Sequence, residues 1–375
     1  MDTFEIHKQH IGKLDIISTI PVNDKETLSQ IYTPNVGKIC MAIKDNPSLT
    51  KQYTIAGKTV AVISDGSAVL GFGNIGPKAA LPVMEGKCVI FKEFSGINAF
   101  PICLDEHDPK ELIKTIKRLA VNFAAINLED IAAPNCFEIE ETLSNELDIP
   151  VVHDDQHGTA IVILAALMGA LKITGKQNLR IIISGAGAAG TAVAKLLSNA
   201  KDLLPIKEIQ IYDSKGLVST SRTDLNKYKQ ELAQLTNQHQ SQTFANGISG
   251  MDVFLGVSIA GLLTEELIRK MNPDPIIFAL ANPTPEIMPD VAYSAGASIV
   301  ATGRSDFNNQ INNALAYPGV FKGLLDNKIN KVTTEHKIKA AKSIYEYHLP
   351  NINKDQILPS ILDKQIPIII SQSFK

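Results

Sequence analysis

The stretch that most constrains this chain runs from Asn178 to Gly190 and reads NLRIIISGAGAAG. Its first half is apolar and β-branched, which is typical of a buried strand in a parallel sheet. Glycines then follow at the spacing G-x-G-x-x-G, and an apolar helical run begins directly after them. Strand, glycine turn and helix in this order are the fingerprint of a dinucleotide-binding unit. The residues predicted to hold the cofactor are those of the turn: Gly185, Ala186, Gly187, Ala188, Ala189 and Gly190.

Asp213 ends the next predicted strand, IQIYD, where an acidic side chain can bind a ribose hydroxyl of the dinucleotide. A carboxylate at this point disfavours a 2′-phosphate, so NAD is the expected cofactor. Lys215 and Arg222 follow closely and could receive a phosphate, which keeps NADP open.

Carboxylates follow two predicted strands in the first half of the chain. Glu129 and Asp130 come after the strand Ala124–Leu128, and Asp154 and Asp155 come shortly after the strand Ile149–Val152. Because parallel strands present their carboxyl ends at one edge of a sheet, these oxygens are expected to converge. Converging oxygens without a cysteine suit a hard divalent ion, Mg²⁺ or Mn²⁺. The alternative is a pair of solvated strand ends.

Several other polar residues stand at positions that chemistry could use. Lys87 precedes the apolar run Cys88–Phe91, interpreted as a buried strand, where burial can lower the pKa of a lysine; the alternative is a lysine with its ammonium group in water. Tyr32 lies near a turn, because Pro34 forces Thr33 toward extended backbone. Polar turns at later strand ends carry asparagines that could bind a carboxylate or a nicotinamide amide, or serve the turn alone: Asn282, Asn312 and Asn313.

Strands alternate with helices on both sides of the fingerprint, which predicts an α/β protein. At 375 residues, two domains are expected. The first, residues 1–155, is an α/β domain for substrate and metal. The second, residues 156–375, is a doubly wound, Rossmann-type parallel sheet that binds NAD(P), with C-terminal helices that pack back.

The overall composition narrows the class of partner. A net charge of −3 argues against nucleic acid. The N-terminus lacks an apolar signal core, and the apolar run Ala160–Leu171 is too short to span a bilayer. The four cysteines form no C-x-x-C pair. We therefore expect a soluble cytoplasmic protein with a small-molecule substrate and no membrane or nucleic-acid partner.

Nine blocks together resemble the signature sequences of the malic enzymes in their short bacterial form. They are YTPNVGK, SDGSAVLGFGNIGP, PVMEGKCVIFK, INLEDIAAPNCFEIE, VVHDDQHGTAIV, SGAGAAG, DSKGL, LANPTPEI and TGRSDFNNQINNALAYPG. The resemblance runs in register from about Ile31 to about Gly323. The chain departs from the family at Ala68, where the larger eukaryotic enzymes carry a substrate-binding arginine. The resemblance therefore does not identify the group that holds the C1 carboxylate of the substrate.

The resemblance implies oxidative decarboxylation of (S)-malate to pyruvate and CO₂, with NAD(P) and Mg²⁺ or Mn²⁺, in a two-fold homodimer. It implies that Lys87 is the general base and that Tyr32 is the general acid, which protonates C3 after CO₂ leaves. The implied metal ligands are Glu129, Asp130 and Asp155. The implied contacts to substrate or nicotinamide are Asn282 and one of Asn312 or Asn313, and Ser67 is a further implied substrate contact.

Three other functions remain compatible with the sequence. An enzyme of the same fold could decarboxylate oxaloacetate without net redox change. An amino-acid-dehydrogenase-like enzyme would share a lysine and a dinucleotide domain, but it would not need the three carboxylates. A non-catalytic redox sensor would bind dinucleotide and a partner.

Overall fold

Two parallel sheets organise the molecule, seen in a computed structural model that describes residues 2–236 and 243–375. The first sheet has the strand order β2-β1-β3-β4, and all its strands are parallel. Its strands are β1 (Thr59–Ser64), β2 (Asn98–Cys103), β3 (Ala125–Leu128) and β4 (Val151–His153). Every side chain of β1 and β3 is buried, as expected for central strands that are covered on both faces.

The second sheet has the order β10-β9-β8-β5-β6-β7, with all strands parallel except the short β7, which is antiparallel to β6. Its strands are β5 (Leu179–Ser184), β6 (Ile206–Asp213), β7 (Gly216–Leu217), β8 (Val253–Gly256), β9 (Ile276–Ala279) and β10 (Ile299–Thr302). The strand order reverses at β5, the strand of the fingerprint, as in dinucleotide-binding folds. The predicted α/β class and doubly wound sheet are confirmed.

Helices cover both sheets. Those up to the end of the first sheet are α1 (Thr3–His10), α2 (Lys25–Ile31), α3 (Val36–Asp45), α4 (Thr50–Tyr53), α5 (Pro77–Ile90), α6 (Pro109–Leu119) and α7 (Asn135–Glu146). Those that follow are α8 (Asp154–Thr174), α9 (Ala188–Asn199), α10 (Lys227–Leu235), α11 (Phe244–Gly247), α12 (Glu265–Arg269), α13 (Pro289–Ser294), α14 (Tyr317–Asp326), α15 (Thr334–His348) and α16 (Ile366–Ser373).

The segment around Lys87 is a helix, so its interpretation as the edge of a buried strand is wrong. Pro77 begins α5 at a position where its missing N–H costs nothing. Ala80, Met84 and Cys88 then recur every four residues on the buried face. The apolar run Cys88–Phe91 therefore covers the end of α5 and the first residue of the turn after it, and a short apolar run cannot by itself distinguish a strand from a helix.

Helix α8 connects the two sheets and is central to the core. It packs against α9 and α15, and its side chains join one apolar cluster with residues of both sheets. Within the described part of the chain, it is the one helix long and apolar enough to cross a membrane, but 61% of its apolar window is buried inside the protein. We interpret α8 as a core helix. The predicted domain boundary at residue 155 falls in its first turn, so that division stays a prediction.

The C-terminal helices return to the middle of the molecule. Helix α15 lies on α8 and α9, and α16 lies on α14 and on the π-turn Phe91–Ser95 that follows α5. The ring of Phe91 meets Tyr317 and Phe321 of α14 edge-on, with centroids 4.8 and 5.1 Å apart. Such aromatic pairs contribute about 0.5–1.5 kcal/mol each beyond area burial. They fix α14 against the helix that carries Lys87.

Candidate active site

Lys87 projects from the last turn of α5 into a buried, acidic environment. Its Nζ lies 2.5 Å from Asp154 Oδ2 and 2.8 Å from Glu129 Oε1, and its side chain is 11% exposed. The Tyr317 ring lies 4.5 Å from the same Nζ, and the Tyr317 hydroxyl donates to the Lys87 carbonyl oxygen at 3.3 Å. Burial disfavours the ammonium charge, but Asp154 and Glu129 outweigh it and raise the Lys87 pKa well above its ordinary value. Lys87 is a cation in this arrangement.

Three carboxylates converge beside Lys87, as the sequence predicted. Glu129 and Asp130 follow β3, and Asp155 stands in the first turn of α8 directly after β4. One ligand atom from each of the three lies within 4.8 Å of the others. The backbone N–H of Asp130 donates to Asp155 Oδ2 at 2.8 Å, and Asn127 Nδ2 donates to Glu129 Oε2 at 2.9 Å. These bonds hold the carboxylates in place but leave oxygens free to face a common point.

The electrostatics of this cluster fit a divalent cation. Burial, with repulsion from the neighbouring acids, raises the pKa of Asp130 to about 9. Burial also raises the pKa of Glu129 to about 7 and that of Asp155 to about 6, although Lys87 opposes both shifts. Oδ2 of Asp130 is buried and has no hydrogen-bond partner among the described residues. An all-oxygen set with excess negative charge matches the ligand preference of Mg²⁺ or Mn²⁺.

The glycine turn has the geometry that the fingerprint requires. Gly185 has φ +111°, and a Cβ added at Gly190 would lie 1.8 Å from the Gly185 carbonyl oxygen. Helix α9 therefore approaches β5 more closely than any other residue would allow. A Cβ at Gly187 would meet nothing within 4 Å. Ala188 and Ala189 form the first turn of α9, whose free N–H groups and dipole suit a phosphate.

A cleft of about 750 Å³ opens at this turn. The lining includes Gly185, Ala186, Gly187 and Asp213, together with Ser258 and Ile259 after β8. Its wall also includes Ala133 and Pro134, which follow Asp130 in the chain. The nucleotide cleft thus extends to the loop that carries the carboxylates.

Asp213 ends β6 in the cleft, but it is already paired. Its two carboxylate oxygens accept from Arg222 Nη1 at 2.7 Å and from Lys229 Nζ at 2.6 Å. Burial works against ionisation, yet these donors hold the Asp213 pKa below its ordinary value. Arg222 also donates to Asp224, which further binds Lys215. The sequence analysis named Lys215 and Arg222 as cations close to Asp213. It did not identify Lys229 as a partner of Asp213, because Lys229 lies on the next helix, α10.

The polar residues predicted to contact substrate have different surroundings. Asn313 packs against Gly158 of α8, next to Asp154. Asn312 caps the short turn after it, with Oδ1 accepting the Ala314 N–H at 2.9 Å.

The other two predicted contacts also lie at strand ends. The Asn282 side chain lies against Gly303, so it stands between the turns after β9 and β10. The Ser67 hydroxyl donates to Asp65 at 2.6 Å and accepts the Ala132 N–H at 2.8 Å, which ties its loop to the loop that carries Glu129 and Asp130.

Tyr32 is not brought to this cluster within a single chain. It follows α2 and is 65% exposed. Among the described residues its hydroxyl has no hydrogen bond, and the tyrosine that lies at Lys87 is Tyr317. The single chain therefore leaves the predicted general acid apart from the predicted base.

Two acidic residues of the site have roles that the sequence did not assign. Asp154, adjacent to the predicted ligand Asp155, is the closest partner of Lys87. Glu140 on α7 accepts the His153 N–H at 2.8 Å and hydrogen bonds from Gln156 and His157, and so fixes the turn that carries Asp154 and Asp155. Burial opposes ionisation of Glu140, but His157 and the other donors lower its pKa to about 2. Both acids lie in signature blocks that the sequence analysis quoted, Asp154 in VVHDDQHGTAIV and Glu140 in INLEDIAAPNCFEIE. Membership of these blocks was the sequence signal that could have identified them as site residues.

The fold and site together define a dinucleotide-binding α/β enzyme with a lysine beside a cluster of three carboxylates. Residues 11–144 match the family described as "Malic enzyme, N-terminal domain", and residues 156–369 match "Malic enzyme, NAD binding domain". The chain therefore belongs to the malic enzyme family.

Individual relatives agree with this assignment. The bifunctional malic/malolactic enzyme of Bacillus subtilis is 46% identical over 99% of this chain and 91% of its own length. The NAD-dependent malic enzyme of Geobacillus stearothermophilus is 48% identical over 95% of this chain and 75% of its own. The crystal structure of the NAD-dependent malic enzyme of Thermotoga maritima superimposes with a TM-score of 0.94 at 43% identity, covering 100% of this chain and 99% of that one. Relatives named NADP-dependent also match, so the cofactor is NAD(P).

Proposed function

We propose that this enzyme converts (S)-malate and NAD(P)⁺ to pyruvate, CO₂ and NAD(P)H with the help of a divalent metal ion. The observation that carries the proposal is the convergence of Lys87 with Glu129, Asp130 and Asp155 at the edge of the first sheet. The same edge adjoins the nucleotide cleft through Ala133 and Pro134. A base, a metal site and a hydride acceptor are the three elements that oxidation of a hydroxy acid requires.

Lys87 is assigned as the base that accepts the C2 hydroxyl proton while hydride leaves C2. A bound Mg²⁺ or Mn²⁺ would polarise the C2 oxygen and neutralise carboxylates that now raise the Lys87 pKa. Asp154 holds the Lys87 ammonium after proton transfer, because it is the nearest carboxylate and is not among the proposed metal ligands. Glu140 positions Asp154 and Asp155 from behind.

Tyr32 is assigned as the acid that protonates C3 once CO₂ has left. Because it is exposed in the single chain, we place it in the active site of a second copy, within a two-fold homodimer. The N-terminal arm, residues 2–45, supports this arrangement: its three helices contain no buried residue, while Phe4, Ile11 and Ile16 are more than 80% exposed. Large exposed apolar surfaces of this kind are typical of interfaces.

The arm contacts the helix that carries Lys87 at Lys13. The backbone N–H of Lys13 donates to Glu85, and its Nζ donates to the Pro82 carbonyl oxygen at 2.7 Å. An arm anchored on α5 that extends to a neighbour would bring two copies together next to their active sites.

NAD is proposed as the preferred nucleotide. The Asp213 carboxylate is held ionised by Arg222 and Lys229, so it repels a 2′-phosphate and remains able to accept from a ribose hydroxyl. Arg222 is itself occupied by Asp213 and Asp224. A kcat/KM at least about tenfold higher with NADP would reverse this preference.

A cytoplasmic location is part of the proposal. The four cysteines are all free thiols, as expected in a reducing compartment.

One pair of assays on purified enzyme tests the function. Malate with Mn²⁺ and NAD or NADP should give reduced nucleotide, followed by its absorbance at 340 nm, and pyruvate in equal amounts. No lactate should form. Oxaloacetate loss without nucleotide is followed in parallel. If oxaloacetate is decarboxylated but malate is not oxidised with either nucleotide, the enzyme is a decarboxylase and the proposed reaction is wrong.

A further inference from the structure

Glu286 is a buried carboxylate that no part of the proposed mechanism uses. It has no exposed surface and stands where β8 and β9 end. One oxygen accepts the Ser258 N–H at 3.0 Å, and the other accepts the Ala281 N–H at 3.0 Å. A Cβ at Gly256 would lie 2.4 Å from its carboxyl carbon, so the last residue of β8 leaves room for this group. The carboxylate is therefore an integral part of this end of the sheet.

The charge of Glu286 has no counter-charge nearby. Across residues 2–236 and 243–375, no lysine, arginine or histidine forms an ion pair with it. Burial raises its pKa, and hydrogen bonds from Ala281 and Ser258 oppose that rise. Each oxygen already faces an N–H donor, so the ionised form fits the geometry. A protonated carboxyl would turn a hydrogen toward a donor.

The position of Glu286 relative to the nucleotide follows from the sheet. The glycine turn that takes the pyrophosphate follows β5, and Asp213, which takes the adenosine ribose, follows β6. The nicotinamide half of the dinucleotide then extends from β5 to the side of the sheet opposite β6, over the ends of β8 and β9. Ser258 lines the cleft, and its hydroxyl lies 2.8 Å from that of Ser184, just before the turn. Glu286 thus lies beneath the nicotinamide half of the cleft.

We propose that Glu286 is a positioning residue whose buried negative charge makes the cleft favour oxidised over reduced nicotinamide. The oxidised ring carries a positive charge and the reduced ring is neutral, so an uncompensated anion stabilises the oxidised form more. The same two hydrogen bonds hold the turns at Ser258 and Ala281, which present the cleft to the ring. The inference depends on the proposed function only in that the cleft binds NAD(P).

The test compares the dissociation constants of NAD⁺ and NADH, each measured by calorimetry without malate or metal. Glu286→Gln keeps the size of the side chain and removes its charge. We expect the Kd of NAD⁺ to rise about fivefold or more relative to the Kd of NADH. A purely structural role would weaken both nucleotides equally, and an unchanged ratio would overturn the proposal.

Two companion variants sharpen the comparison. Glu265→Gln removes the charge of an exposed glutamate on α12 and keeps that of Glu286, so the ratio should stay at the wild-type value. The side-chain amide in Glu286→Gln would place a donor against a backbone N–H, so Glu286→Met serves if the first variant does not fold. Methionine fills the space with an apolar chain and brings no donor, while the Ser258 and Ala281 N–H groups lose their acceptor. It should shift the ratio in the same direction.

Failure of this inference is separable from failure of the proposed function. Nucleotide binding is measured in the absence of substrate, so an enzyme that does not oxidise malate still gives both dissociation constants. Conversely, an unchanged ratio in both Glu286 variants would leave the malate assay unaffected.

Discussion

Lys87 shows how opposing forces on one residue set its chemistry. Burial favours the neutral amine, whereas Asp154 and Glu129, both within 2.8 Å, favour the ammonium and prevail. Removing one charge of a buried ion pair leaves the other charge buried without a partner, and this strongly destabilises the folded protein. Substitutions here must therefore separate the role of charge from the role of proton transfer.

Lys87→Arg retains the positive charge between the two carboxylates but cannot accept a proton near neutral pH. We expect it to fold and to lose malate oxidation by about 10²–10⁴-fold, as for removal of a general base. Lys87→Ala should lose as much activity, while Lys92→Ala, which changes an exposed lysine beyond α5, should keep full activity. Near-wild-type turnover of Lys87→Arg in the 340 nm assay would contradict the base assignment.

Asp155→Asn keeps the shape of a proposed metal ligand and removes its charge. Saturating Mn²⁺, at about 100 times its Kd, should stabilise the wild-type enzyme by about 2.7 kcal/mol in thermal unfolding. The variant should lose most of this stabilisation and most of its activity, yet bind NAD as before. Asp148→Asn, an exposed acid before β4, is the matched control. Loss of NAD affinity with an intact Mn²⁺ response would show that Asp155 belongs to the nucleotide site.

At the scale of elements, the contact between β5 and α9 decides how the nucleotide is received. Helix α9 begins at Ala188 and lies so close to the turn that only a glycine fits at position 190. Position 187 has open space around it, in the cleft where a pyrophosphate would lie. The two glycines therefore serve different purposes, close packing at one and ligand approach at the other.

This difference predicts two distinct phenotypes. Gly190→Ala should destabilise the protein by about 1–3 kcal/mol through overpacking, measured as the free energy of unfolding in urea. Gly187→Ala should change stability by less than about 0.5 kcal/mol but weaken NAD binding, because its methyl group enters the cleft. Equal stability of both variants would mean that α9 can move away from β5 at little cost.

At the scale of the whole molecule, the single chain is incomplete as the proposed catalyst. Its proposed base, proposed metal ligands and nucleotide cleft adjoin one another, but Tyr32 lies on an exposed arm. The proposed two-fold dimer would resolve this, since in such an interface each copy gives the other the same surface. The arm would then serve both association and catalysis.

Co-expression of Tyr32→Phe with Lys87→Ala tests whether Tyr32 works in the partner's site. Each variant alone should be inactive in pyruvate formation. A mixed dimer should contain one site with both Lys87 and the partner's Tyr32 intact, so random assembly should restore about a quarter of wild-type activity. No recovery, or a stable active monomer in sedimentation, would show that Tyr32 acts within its own chain or not at all.

Tyr32→Phe also separates the two halves of the reaction. Protonation of C3 is required for pyruvate formation but not for reduction of oxaloacetate to malate by NADH. We expect pyruvate formation from oxaloacetate to fall by about 10²–10⁴-fold and the reduction to fall far less. Equal losses in both rates would mean that Tyr32 orders the cleft and does not transfer the proton.

The sequence by itself determined the local features of this protein. The fingerprint predicted β5, the glycine turn and α9, because strand and helix periods and glycine requirements are set by neighbouring residues. The same reasoning located Asp213 and the acids that follow β3 and β4, since parallel strands bring their ends to a common edge. The signature blocks added the family. The strand interpretation at Lys87 failed because a short apolar run has no distinctive period.

Only the tertiary structure decided which charges meet. Asp154 and Tyr317 flank Lys87, although 67 and 230 residues separate them from it in the chain. Lys229 reaches Asp213 from the next helix, and Glu286 faces the ends of two strands. Such contacts depend on how helices and strands pack and on which charged groups become buried. The spacing of residues along the chain determines neither the packing nor the burial. The exposure of Tyr32 belongs to the same class, because it depends on how the arm packs and not on the residues next to Tyr32 in the chain.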